Sequence, residues 1–144
     1  MTKFITSRYF AATPSTLFNA IKDQACLATW WGPKGFSNRI DVFEFYPGGR
    51  WVFDMVGPDG TTYPNEALFS DIETDRKVVI QHTCHPHFEL SITLVPKGEG
   101  TFLWWEQTFA DPAVAQAMQA IAEPANEQNL DRLGQALGLN PAPG

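Results

Sequence analysis

Trp30-Trp31-Gly32-Pro33-Lys34-Gly35-Phe36 is where this chain changes from helical to strand periodicity. Upstream, Leu17, Phe18 and Ile21 recur at helical spacing behind a start signal, Thr13 as N-cap and Pro14 at the first helical position. Asp23 caps a second short helix through Leu27 and Trp30, which Gly32-Pro33 ends. Before both helices, residues 3–10 alternate as a strand. Phe4, Thr6, Arg8 and Phe10 share one side and Ile5, Ser7 and Tyr9 the other, so the pattern leaves the buried face open.

Downstream of Phe36 the period is two. Asn38, Ile40 and Val42 share a face, whereas Phe43 and Phe45 fall in the other phase, which predicts a β-bulge near Asp41–Phe43. Tyr46-Pro47-Gly48-Gly49-Arg50-Trp51 is a turn feeding a strand with Trp51, Phe53 and Met55 on one face. Gly57-Pro58-Asp59-Gly60, His85-Pro86 and Lys97-Gly98-Glu99-Gly100 are further reversals. Between them lie strands carrying Tyr63, Asn65, Ala67 and Phe69, then Val78 to Ile80, then Phe88, Leu90, Ile92 and Leu94, then Thr101 to Phe109. Such spacing predicts one antiparallel meander of six strands after the helices.

Asp111-Pro112 opens a long C-terminal helix by the same cap logic. Val114, Met118, Ile121 and Ala125 form one stripe, and Leu130, Leu133 and Leu137 a second, rotated stripe. Pro124 lies between them and predicts a kink or break just before it, and Gly138 a C-terminal cap. The expected class is α+β: a curved antiparallel sheet wrapped around the C-terminal helix, with two short helices after the first strand. Residues 1–139 read as a single domain and residues 140–144 as a loose tail.

The 144 residues include 19 aromatic ones, 11 Phe, 5 Trp and 3 Tyr, and none follows Phe109. An aromatic-rich sheet thus faces an alanine-rich helix, and large rings opposite small residues leave room for an apolar hollow. The formal net charge of −6 with no basic stripe argues against nucleic-acid binding. No apolar run approaches the about 20 residues that span a bilayer, and the N-terminus lacks a signal-peptide core, so membrane insertion is not expected. Cys26 and Cys84 make no recognisable framework and read as free thiols in a reducing cytoplasm.

These residues together resemble a known family. The chain is similar to the START-like (SRPBCC) superfamily with its helix-grip fold, and within it to the branch named after the activator of the heat shock protein 90 ATPase. The resemblance is carried by Trp30 to Phe36, Pro47-Gly48-Gly49-Arg50-Trp51 with Phe53, Gly57-Pro58-Asp59-Gly60, Tyr63-Pro64-Asn65-Glu66, Gln107-Thr108-Phe109 and Leu130-Asp131-Arg132-Leu133. It implies a deep apolar cavity between sheet and long helix, in which relatives hold lipids, sterols, hormones or polyketides and a few catalyse cyclisation or hydrolysis. The founding activator carries an additional N-terminal domain for chaperone contact, for which this chain has no room. The hairpin at residues 83–87 looks shortened, and Pro124 is a second departure.

The expected function is binding of a small apolar or aromatic ligand. The candidate ligand-binding residues are Trp31, Phe45, Trp51, Phe53, Tyr63, Asn65, Phe69, Leu90, Trp105, Met118 and Ile121, opposite small helix residues at Ala117 and Ala125. The first alternative is a polyketide cyclase-like or hydrolase-like enzyme using a polar group among Tyr63, Asn65, Glu66, His82, Glu106 and Gln107. No nucleophile elbow, zinc-protease helix or phosphate loop is present to support it, and no catalytic residue is assigned. The second alternative is a chaperone-associated interaction protein without ligand. His82-Thr83-Cys84-His85-Pro86-His87 places four potential metal ligands in six residues, but their spacing matches no standard site, so neither a metal nor a cofactor is expected. With Leu103 and Trp105 facing inward, Phe102 and Trp104 face out and predict a homodimer surface.

Overall fold

The computed structural model describes residues 2–139; the tail proposed at 140–144 lies outside them. The elements in chain order are β1 (Lys3–Phe10), α1 (Pro14–Lys22), α2 (Gln24–Trp30), β2 (Ser37–Phe43), β3 (Arg50–Val56), β4 (Thr62–Glu73), β5 (Lys77–His82), β6 (Phe88–Lys97), β7 (Gly100–Phe109) and α3 (Pro112–Ala136). Thr13, Asp23 and Asp111 cap the three helices through their side-chain oxygens, as their positions in the sequence predict.

Six strands form the expected meander, and β1 adds to its far edge by pairing with β7, giving the order β1-β7-β6-β5-β4-β3-β2, antiparallel throughout. The phase slip in β2 is a bulge: Ile40 pairs with Phe53 and Val42 with Val52, leaving Asp41 as the extra residue. Ile40 and Phe43 therefore both pack on the core. A second register shift, between Phe69 and Asp71 of β4, is invisible in the apolar pattern because Ser70 is exposed. In the turn before β3, Gly49 lies so close to Glu44 that an added Cβ would stand 1.9 Å from the Glu44 carbonyl oxygen. Only glycine fits there.

The ambiguity of β1 resolves toward Phe4 and Phe10, 6% and 4% exposed, with Thr6 and Arg8 between them turned toward α3. Arg8 Nη1 donates to Asp131 at 2.5 Å, and Thr6 donates to Glu127, so the polar residues of this face fasten the helix to the sheet edge.

α3 corrects the sequence on two counts. It runs unbroken from Pro112 to Ala136 through Pro124. Pro124 and Ala120 are both exposed, so water donates the hydrogen bond that the Ala120 carbonyl would otherwise accept from residue 124, and the missing N–H leaves nothing buried and unpaired. The first apolar stripe is also displaced. Ala115 and Ala122 are the buried residues of that half, whereas Ile121 is 63% exposed and Ala117 lies in solvent. The second stripe holds, with Leu130 and Leu133 fully buried.

Candidate functional site

The loop between α2 and β2 positions the site's first ring. Arg132, reaching from α3, donates through Nη1 to the carbonyls of Trp31, Gly32 and Pro33 and through Nη2 to those of Thr29 and Phe36, all at 2.8–3.0 Å. One guanidinium thus satisfies the orphan carbonyls at the end of a helix and the turn beyond it. Burial holds its pKa below the ordinary arginine value. Asn129 completes the clamp, donating to the Trp30 carbonyl (2.9 Å) and accepting from the Gly32 N–H (3.2 Å). Gly32 sits at φ +94°, where a side chain would be strained and would meet Met55. The two motifs that look unrelated in sequence, Trp30 to Phe36 and Leu130 to Leu133, are therefore one structural unit.

Held this way, Trp31 lies edge-on to Trp51 (4.9 Å between centroids) and 5.6 Å from Trp105. Trp51 stacks on Phe53 at 4.1 Å. These rings, with Leu90, Ile80, Phe88 and Phe109 of the sheet, form one wall of a cavity of about 250 Å3. Met118, Ile121, Ala122, Ala125 and Asn126 of α3 form the other. Because Ile121 lines the cavity and is largely exposed, the hollow reaches solvent beside it.

The polar lining is sparse: Asn65, His82, Gln107, Asn126 and Asn129. Gln107 accepts from Asn126 at 3.0 Å. His82, 9% exposed, donates from Nδ1 to the Pro86 carbonyl (2.7 Å), and its Nε2 lies 2.6 Å from the Asn65 carboxamide oxygen. Burial pushes the His82 pKa below the ordinary histidine value, outweighing the backbone hydrogen bonds at Pro86 and Cys84 that favour the imidazolium. A neutral ring is matched when the Asn65 amide turns to present its nitrogen. Phe88 stacks on the imidazole at 4.5 Å. His82 is the only titratable side chain on the wall among the described residues.

Of the candidate residues, Trp31, Trp51, Phe53, Asn65, Leu90, Trp105, Met118 and Ile121 line the cavity. Three do not. Phe45 and Phe69 lie 5.0 Å apart in the packed core, Phe45 also against Phe18 of α1. Tyr63 shares the face of Asn65 but lies past the cavity's edge, 47% exposed against Phe36. Glu66 is exposed, and Glu106 is not on the wall. Met55, Phe88 and Phe109 were missed, although Met55 shares the alternation of Trp51 and Phe53 and Phe88 that of Leu90. Asn126 was missed because it is polar; its spacing from Ala115 and Ala122 puts it on the buried side of the helix.

In the hairpin after β5, His85 and His87 are exposed and His82 is held inward, and among the described residues no three His, Cys, Asp or Glu side chains converge as metal ligands. Cys84 Sγ lies 3.5 Å from His82 Nε2 and accepts the Glu66 N–H at 3.4 Å. Among the described residues, no helix is long and apolar enough to cross a membrane.

A curved seven-stranded antiparallel sheet gripping one long helix, with a cavity between them, defines the helix-grip class. Within that class, the chain belongs to the family described as "Activator of Hsp90 ATPase homolog 1-like protein", whose model matches residues 11–138. Among proteins of curated function none matches it. Solved structures share the fold. A Rhodobacter sphaeroides protein is 26% identical with a TM-score of 0.83, covering 95% of this chain and 92% of its own. An Arthrobacter aurescens protein is 21% identical with a TM-score of 0.87, covering 95% and 86%. An AHSA1-like protein from Aeromonas hydrophila is 17% identical with a TM-score of 0.76, covering 99% and 98%.

Proposed function

We propose that the chain binds a small, largely apolar or aromatic molecule in the cavity between sheet and α3. The observation that carries the reading is the hollow itself: about 250 Å3 walled by tryptophan, phenylalanine and leucine on one side and by Ala122 and Ala125 on the other. An empty cavity costs stability in proportion to its volume, so a retained one points to an occupant. Binding is favoured over cyclase-like or hydrolase-like catalysis because no carboxylate lines the wall and both nitrogens of His82 are engaged. An unfilled core also favours it over a purely chaperone-associated role. The two cysteines, neither in a disulfide, support a reducing cytoplasm as the setting. Mass spectrometry of what co-purifies with the native protein, and titration of lipophilic probes followed by tryptophan fluorescence, test the reading. Saturable quenching is expected; no saturable change with any probe and no co-purifying molecule would overturn it.

The same reading includes a homodimer through the convex face of the sheet. Trp104 (41% exposed), Tyr9 (39%) and Val95 (43%) surround Phe102 there, a row of apolar groups unusual for a face left in water.

A further inference from the structure

Five amide or imidazole side chains lie on the cavity wall, and three of them spend their hydrogen-bonding groups on the protein. His82 is held at Nδ1 by the Pro86 carbonyl and at Nε2 by Asn65. The two ends of the Asn65 amide lie 2.6 Å from His82 Nε2 and 2.8 Å from the Tyr63 carbonyl. Asn129 gives its amide nitrogen to the Trp30 carbonyl and its oxygen to the Gly32 N–H. Gln107 and Asn126 differ. They meet across the gap between β7 and α3, where Asn126 Nδ2 donates to Gln107 Oε1 at 3.0 Å, and neither side chain has another partner among the described residues.

Gln107 Nε2 and Asn126 Oδ1 are thus left open. Neither atom is sealed in, since the buried side-chain atoms without a partner are Asn38 Oδ1 and the indole nitrogens of Trp51 and Trp105. Gln107 continues the inward alternation of Leu103 and Trp105 on β7, so its head stands on the concave side among the rings. Turning both amides over exchanges donor and acceptor and still leaves one NH2 and one carbonyl open. Water can serve both in an empty hollow. An occupant that displaces the water must replace its bonds, or a donor and an acceptor are left unpaired in an apolar space. No Lys, Arg, Asp or Glu lines the cavity, so neither a carboxylate nor an ammonium would find a counter-charge. A hydroxyl is neutral, and it accepts and donates at once.

Resting on the binding reading above, we propose that the occupant is a neutral hydroxyl compound, a phenol or cyclic alcohol of one or two rings, whose hydroxyl accepts from Gln107 Nε2 and donates to Asn126 Oδ1. The size follows from volume. A cavity of about 150 Å3 holds one benzene, and this one measures about 250 Å3. The amide pair thereby selects hydroxylated rings over plain ones of the same size.

The test compares 2-indanol, its methyl ether and indane on the full-length protein by titration calorimetry. 2-Indanol is expected to bind about tenfold more tightly than indane, a difference of about 1.4 kcal/mol. A hydroxyl without partners would reverse that order, because burying it unpaired is costly. The methyl ether keeps the acceptor and loses the donor, and is expected to bind less tightly than the alcohol. In 15N-resolved spectra assigned through bonds, the Gln107 side-chain amide protons are expected to move downfield with 2-indanol and not with indane. The Asn65 and Asn129 side-chain amides, already committed to the protein, should respond alike to both. Equal or weaker binding of 2-indanol, or an ether that matches it, would overturn the hydroxyl site while saturable indane binding left the apolar reading standing. A Gln107 amide that responds equally to alcohol and hydrocarbon would also overturn it. If no probe binds, this inference and the binding reading fall together.

Discussion

α3 covers the sheet in two halves that behave in opposite ways. Its C-terminal half drives Leu130 and Leu133, both fully buried, against Phe10, Leu17 and the rings beneath α1 and α2, and there the interior is filled. Its N-terminal half buries only Ala115 and Ala122 fully, with Val114 and Met118 half-buried beside them, against a sheet surface of Phe4, Phe88 and Phe109, and there the cavity opens. One helix thus serves as a wedge at one end and a roof at the other. The difference lies in side-chain volume, because leucine at the buried positions of the first half would occupy the hollow. Stability belongs mainly to the filled half, and the proposed binding to the other.

Trp51 stands where the two halves meet, stacked on Phe53 and on Phe69 and lining the cavity on its remaining side. Trp51→Ala is expected to destabilise the fold by about 3–5 kcal/mol, read from the urea midpoint, and to abolish probe binding. A variant that melts and binds like the parent would show that Trp51 belongs to neither half. Ala125→Leu reverses the design by filling the roof. It should change stability by less than about 1.5 kcal/mol in either direction and still remove binding, because it adds volume where space exists. Loss of stability comparable to Trp51→Ala would mean that the roof is as tightly packed as the wedge.

A smaller effect comes from His82 at the cavity's polar end. Its pKa is lowered in the folded protein, chiefly by burial, so the folded state holds fewer protons than the unfolded one just below neutrality. The stabilisation is fully present above the unfolded value of about 6.5 and is lost as pH falls through it toward the folded value. The melting temperature should therefore fall between pH 7.5 and 5.5, and His82→Gln should flatten that slope. A parent whose melting point holds steady across the interval would show that the ring stays paired in both protonation states.

The wedge was readable in the sequence, and the roof only partly. Leu130, Leu133 and Leu137 announce themselves by spacing, and Thr13, Asp23 and Asp111 announce their helix starts, because local chemistry alone fixes them. Ile121 fits the helical period and lines the cavity, yet it is largely exposed, and the neighbouring Ala122 is the residue buried against the sheet. Phe45, Phe69 and Tyr63 misled for a reason of position. Alternation names a residue's face but not its place along a twisted strand, and the cavity occupies only part of the concave surface. Arg132 was recognisable as part of a motif, but its five carbonyl partners lie about a hundred residues away, and no local pattern encodes them.

The convex face extends the comparison to the outside of the same strands. On β7, Leu103 and Trp105 are buried, so Phe102 and Trp104 project the other way, stacked at 6.5 Å with Tyr9 edge-on to Phe102 and Lys97 over its ring. Lys97 covers part of Phe102, which leaves Trp104 as the largest exposed group and makes it the centre of any contact. A two-fold axis near Trp104 would bury this row from both subunits at once, at about 25 cal/mol for each Å2 of apolar area removed from water. Phe102→Ser with Trp104→Ser is expected to turn a dimer into a monomer by light scattering. Each subunit's own stability should change by only about 0.5 kcal/mol, since exposed positions contribute little to the core. A parent that is monomeric at high concentration, or a double variant that remains dimeric, would remove this face from consideration and leave the cavity as the proposed site of recognition.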